Sequence, residues 1–173
     1  MIKIPYFSQR DNYTQASRTC YSSSVAMLLA HKGLITTDDE YLRKVMAHPG
    51  DTTESWTHID ICRNIYGQKP VDLYDMSQPQ LRALLDSGIP VAIGILHRGY
   101  PSNPKGGHRL VVKGYYTDNL IRYIVNDPWG ELMHHDGSYR NVSGEGLSYS
   151  QNIMSTRWEV DGPGSGWGFY LEP

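Results

Sequence analysis

The chain has 173 residues, 39% of them hydrophobic and 20% charged, with a formal net charge of −2. That length suits one domain, residues 1–173, with a substantial core, and the balance excludes both a disordered chain and a basic nucleic-acid binder. The opening MIKIPYFSQRDN has no apolar run of signal length and no stretch approaches a membrane span, so synthesis in the cytoplasm without a membrane partner is expected.

Taken in chain order, IKIPYF reads as a short strand. A helix follows from Thr19 to Gly33, with Val25, Leu28 and Leu29 on one side. DDEYLRKVMA reads as a second helix, acidic in its first turn and basic later, as the macrodipole favours. THIDICRNIYG reads as a third, with Ile59, Cys62 and Tyr66 on one face and Gly67 closing it. SQPQLRALLDSG gives a fourth, from a Ser cap to Gly88. From Pro90 the period changes: PVAIGIL, HRLVVKGYY and LIRYIVND read as three consecutive strands, the last running into the turn DPWG. The tail GPGSGWGFYLEP reads as a glycine-rich bend and a short aromatic strand. Helices over about 1–89 followed by a mostly antiparallel sheet over about 90–173 predict an α+β fold.

The two cysteines, Cys20 and Cys62, lack CxxC spacing and read as free thiols. They differ in position. Cys20 opens a helix, where free N–H groups and the dipole favour a thiolate; Cys62 lies mid-helix on an apolar face and reads as core. A thiolate needs a base, and a His that takes its proton needs an acceptor to fix its tautomer. His108 in GGHRLVVKGYY opens one expected strand, and Asp127 in VNDPWG closes the next. A hairpin through TDN brings those ends within side-chain reach. Gln9, in YFSQRDN just upstream of the helix, can add an amide donor to the Cys20 N–H in an oxyanion hole.

IPYFSQRDN, TCYSSSVAMLL, GGHRLVVKGYY and VNDPWG, in that order from Ile4 to Gly130, together resemble the C39-like cysteine peptidases, a branch of the papain-like superfamily. The resemblance implies Cys20 as nucleophile, His108 as general base and acid, Asp127 as the residue orienting His108, and Gln9 as oxyanion donor. It also implies a helical half carrying Cys packed on a β half carrying His. Two features depart from the family pattern. Tyr21-Ser22 stands where members commonly have Gly-Pro, and Gln9 lies farther from the Cys than is usual, which makes Gln15 a rival; the context YFSQ favours Gln9.

The implied activity is a thiol hydrolase that cleaves a peptide or amide bond through an acyl-enzyme, with no metal or organic cofactor. The implied substrate is a peptide, in particular a peptidoglycan stem cut by an endolysin-type lytic protein that reaches the cell wall after release, and a monomer is expected. The alternatives are an inactive peptide-binding module of the same fold and a transglutaminase-like acyl transferase.

Other residues have plainer readings. Asp127 also suits a turn before Pro128, and Asn126 is a fallback orienter that strand alternation points to the opposite face. His134 to Asp136, HHD, reads as a solvated loop, because neighbours on an extended segment face opposite ways. His31, His48 and His58 read as isolated surface or helix-end residues, and His97 carries no motif. Trp129, following Asp127, is expected at the cleft wall; Trp167 reads as core or cleft. RGYPSNPKGG is either a flap over the site or a connecting loop.

Overall fold

The computed structural model describes residues 1–173. Four helices, α1 (Cys20–His31), α2 (Asp38–Ala47), α3 (Ser55–Asn64) and α4 (Gln78–Asp86), stand where the sequence periodicity places them. α2 and α4 open with capping boxes, Thr37 with Glu40 and Ser77 with Gln80, which satisfy backbone N–H groups that a helix start leaves free. Gly67 and Gly88, beyond the ends of α3 and α4, take φ values of 63° and 79°, a region costly for residues with a Cβ.

The strands are β1 (Pro70–Met76), β2 (Val91–Arg98), β3 (Lys105–Thr117), β4 (Ile121–Asn126), β5 (Glu131–Met133), β6 (Ser138–Arg140), β7 (Leu147–Ser150) and β8 (Gly166–Leu171). Between β7 and β8, a short helix α5 (Gln151–Ile153) runs into a π turn over Met154–Trp158. Six strands form one antiparallel sheet in the order β1-β8-β2-β3-β4-β7, while β5 and β6 make a separate hairpin. The α+β class with an antiparallel sheet is as the sequence predicts.

Helices cover both faces of this sheet. Ala92, Val111 and Phe169 point toward α1, α2 and α3 and form one core with Val25, Leu29, Tyr41 and Ile61. Their neighbours Val91, Ile93, Leu110 and Val112 point the other way and pack with Leu81 and Leu85 of α4 and with Met154 and Trp158. Burial on both faces explains why PVAIGIL is continuously apolar rather than alternating. α1 is correspondingly buried along its whole run from Tyr21 to Leu29.

Two segments differ from expectation. IKIPYF forms no strand: Ile2 donates one backbone bond to Lys113 O at 2.9 Å, and Pro5 has no N–H with which to continue a ladder. Conversely, β1 enters the sheet from within the expected helical half, between α3 and α4, and pairs with β8. A register shift between Leu73 and Met76 breaks its alternation and hides it from a period-two reading.

Candidate active site

α1 starts at Cys20, and its N-cap, Thr19, makes no side-chain cap bond. The N–H groups of the first turn are therefore not taken up by a cap and remain a partial positive charge beside the thiol. The residues behind Cys20 fix the helix start from three sides. Tyr21 is buried, with its ring 4.1 Å from the His58 ring and edge-on to Phe169. The Ser22 hydroxyl lies 2.6 Å from the Thr52 hydroxyl, and the Asn12 amide donates to Ser23 Oγ at 3.1 Å. Tyr21 thus ties the Cys20 end of α1 to the core. Cys20 itself stays partly exposed.

The β3–β4 hairpin does what its sequence promises. Val111 pairs with Asn126 and Val112 with Val125, so His108, near the start of β3, meets Asp127, just past the end of β4. His108 Nε2 lies 2.7 Å from Asp127 Oδ1. Asp127 is completely buried and fully engaged: Oδ1 also accepts the Trp129 N–H at 2.9 Å, and Oδ2 accepts the Tyr149 and Tyr139 hydroxyls at 2.8 and 3.3 Å. Its backbone is held as well, with Asp127 N–H donating to Gly144 O and Tyr6 O–H donating to Asp127 O. A Cβ on Gly144 would lie 1.7 Å from Asp127 O, so only glycine fits there. A buried carboxylate with four donors in fixed positions is acceptor-only and holds the imidazole in one orientation.

With Nε2 committed to Asp127, His108 lines the same pocket as Cys20, close enough for each to shift the other's pKa. Burial raises the pKa of the Cys20 thiol, but the His108 side chain and its charge, together with the backbone N–H and charge of Arg109, bring it below the ordinary value. Burial pushes His108 down, but the charge and hydrogen bond of Asp127, with Cys20 opposite, lift it well above an ordinary imidazole. The two shifts favour a thiolate–imidazolium pair. Cys62 is the opposite case: fully buried, its thiol is pushed up to about 12 by desolvation, against a smaller lowering by Tyr41.

Gln9 is buried, and its Nε2 donates to Ala16 O at 2.6 Å. The Thr19 hydroxyl reaches the same oxygen at 3.5 Å, which ties the amide to the residue preceding Cys20. Gln15 is exposed, at φ 49°, and bonds with Arg18 and Met46. Asn126 accepts from Gly146 N–H and makes no bond to His108.

Two readings from sequence are corrected, and a third residue gains a place in the site. His58 is neither at the surface nor at a helix end. It shares the buried face of α3 with Thr57, Ile61 and Cys62, lies 2.7 Å from the Tyr41 hydroxyl through Nδ1 and 2.8 Å from Thr52 O through Nε2, and is pushed down to about 4 chiefly by burial. Trp129 is covered by the Arg10 guanidinium, 4.2 Å from its ring centroid, and it is Trp167 that walls the pocket at Cys20. His97, which carries no sequence motif, stacks on His108 with ring centroids 4.9 Å apart. Alternation was the available signal, because His97 continues the β2 face of Ile93 and Ile95, and Ile95 pairs with His108. Burial and the His108 charge push His97 down to about 3, so it stacks as a neutral ring.

The RGYPSNPKGG segment is a connecting loop held in place. Buried Arg157 donates to Arg98 O and Gly99 O on it, to Leu96 O of β2 just before it, and to His134 O. In HHD, His134 contacts Asn152 and Arg157 while His135 pairs with Asp136, and no group of three or more His, Cys, Asp or Glu is arranged to hold a metal ion.

A pocket of about 160 Å³ opens over the thiol, lined by Cys20, Tyr21, Thr53, Gly94, Gly107, His108, Arg109 and Trp167. The arrangement supplies a poised nucleophile, a proton carrier with a fixed partner, and free N–H groups where a tetrahedral oxyanion would form.

Comparison with known proteins gives a consistent picture. The family described as Peptidase_C39 like family matches residues 1–161. The crystal structure of a C39-like peptidase from Bacillus anthracis superposes with a TM-score of 0.67 at 15% identity, covering 99% of this chain and 96% of that one. That of a double glycine motif protease from an AMS/PCAT transporter, in complex with the leader peptide, superposes with a TM-score of 0.60 at 17% identity, covering 99% and 92%. At these identities the superpositions show the fold. No curated protein sequence matches the chain.

Proposed function

The chain belongs to the Peptidase_C39 like family, and on that premise we propose that it is a cysteine hydrolase that cleaves a peptide bond through an acyl-enzyme formed on Cys20. The observation that carries this reading is the His108–Asp127 bond at 2.7 Å with His108 lining one pocket with Cys20, which stands at the uncapped start of α1. The Cys20 thiolate attacks the scissile carbonyl carbon. The oxyanion is taken up by the Cys20 N–H and by the second N–H of Gln9 Nε2, whose first is held by Ala16 O. His108, as imidazolium, protonates the departing amine, and Asp127 and its four donors keep the ring aligned. In the second half, neutral His108 takes a proton from water as it attacks the thioester; the acid departs, and thiolate and imidazolium are restored.

A peptide substrate is supported by the bound leader peptide in one structural relative and by a pocket sized for a single residue beside the thiol. A peptidoglycan stem peptide is the specific substrate to try first, and the protein is taken as one domain acting as a monomer.

The test is hydrolysis of short peptides and purified stem peptides, followed by mass spectrometry. Cys20→Ala should abolish cleavage while Cys62→Ala leaves it intact, and iodoacetamide should label Cys20 and spare Cys62. Equal activity in the two variants would sink the assignment.

A further inference from the structure

Arg109 follows His108 on β3 and shares the α1-facing side of the strand with Val111. Its guanidinium carbon lies 4.3 Å from the centroid of the Tyr21 ring. On the β2 side, a Cβ on Gly94 would come within 3.1 Å of both the Arg109 Cζ and Trp167, so the absence of a side chain there leaves room for the two to meet over the strand. The guanidinium is thus stacked on an aromatic ring and built into the pocket wall beside the nucleophile.

What it lacks is an acceptor. A guanidinium carries five N–H donors, yet Arg109 makes no ion pair and its Nη1 is buried without a partner. Leaving such a group unmatched is unfavourable unless something arrives to accept from it. The nearby acid does not serve: Asp72, whose charge also acts on Tyr21, forms no ion pair with Arg109, its Oδ2 accepting from the Tyr74 hydroxyl at 2.9 Å while its Oδ1 is buried without a partner. No Asp or Glu lines the pocket, whose only ionisable side chains besides the thiol and Tyr21 are His108 and Arg109. Planar N–H pairs, held by stacking and lacking an acceptor, match a carboxylate bidentately.

We propose that Arg109 is a specificity-determining residue that binds a carboxylate of the substrate in this pocket, so that the preferred peptide carries an acidic group beside its scissile carbonyl. The inference deepens the peptidase reading and rests on it for the word substrate, but the carboxylate site can be probed without turnover. The acid can be an Asp or Glu side chain or a free C-terminal carboxylate; the recognising chemistry is the same.

The experiment compares alkylation of Cys20 by iodoacetate and by iodoacetamide, as the ratio of the two rates divided by the same ratio for glutathione. Dividing cancels any change in thiolate content, and His108 is common to every variant. The folded protein should favour the anionic reagent by at least about tenfold. Arg109→Gln should lose most of that preference, and Arg109→Lys, with circular dichroism matching the parent, should keep part of it. Protection of Cys20 from iodoacetamide then identifies the source: an amidated Glu peptide against its Gln counterpart reports a side-chain acid, and a free against an amidated C-terminus reports a terminal one.

Protection by either acid that disappears in Arg109→Gln supports the site. An unchanged reagent ratio in Arg109→Gln, protection by neither acid, or a Cys20 that neither reagent labels overturns it. Failure to hydrolyse any peptide, with the reagent preference intact, would overturn the peptidase reading and leave the carboxylate site standing.

Discussion

Replacing Asp127 with Asn tests whether its charge, rather than its shape, poises the thiol. Asn is nearly isosteric, and its Oδ1 can still accept from His108 and from the Trp129 N–H. Its amide nitrogen would face the Tyr139 and Tyr149 hydroxyls, which now donate to Asp127 Oδ2 at 3.3 and 2.8 Å and must turn to accept. A hydrogen bond to a charged group contributes about 1.5–3 kcal/mol and a neutral one about 0.5–1.5 kcal/mol, so the imidazolium of His108 loses on the order of 1–2 kcal/mol. One pKa unit corresponds to about 1.36 kcal/mol, so His108 should fall by roughly one unit. Because Cys20 is held down largely by His108 and its charge, its thiolate should form at higher pH. The rate of iodoacetamide labelling between pH 4 and 9 reads this directly. Its rise should move toward alkaline pH by about one unit, with a urea midpoint close to the parent. Asp127→Ala, by contrast, strands the buried donors of His108 and Tyr149 at about 1–3 kcal/mol each, and the partly buried Trp129 N–H and Tyr139 hydroxyl besides, and should strongly destabilise the protein. A labelling profile in Asp127→Asn that overlays the parent would refute the argument, because the carboxylate would then be only a turn residue.

Two further changes probe the frame around the site. Folded His58 stays neutral, with its pKa depressed to about 4, whereas an unfolded His takes its proton near 6.5; stability is therefore lost as pH falls from about 6.5 and levels off below about 4, by roughly 3 kcal/mol in all. Urea titrations at pH 7 and pH 4 should show a smaller acid penalty in His58→Gln, and an equal penalty would assign the loss elsewhere. Gly144→Ala places a Cβ into Asp127 O; it should cost about 1–3 kcal/mol and slow Cys20 labelling, whereas unchanged stability would show that the loop yields freely.

The parts of the site that sequence made legible are those whose chemistry is local. The start of α1 is marked by a cysteine followed by serines, and the β3–β4 hairpin by its turn, so Cys20, His108 and Asp127 could be set side by side without a structure. What escaped depends on tertiary placement. His58 looks like a helix-end polar residue until Tyr41 and Thr52 close over it. Tyr139 and Tyr149 come from strands too short to stand out by periodicity, and their hydroxyls meet Asp127 only because β7 pairs with β4 and the β5–β6 hairpin folds alongside. β1 was hidden by its register shift, and Arg157 gave no hint that it would clamp the loop between β2 and β3.

β8 is the last strand of the chain to be made, yet it lies between β1 and β2. While the ribosome is still upstream of residue 166, those two strands have no shared neighbour, and Trp167, which faces Gly94 across the ladder and walls the pocket, does not exist. Such a pairing closes a long loop and forms late. A nascent chain can therefore carry Cys20, His108 and Asp127 and still lack a finished cleft. Emergence of the final strand is thus the step that closes the sheet and completes the wall of the pocket over Cys20.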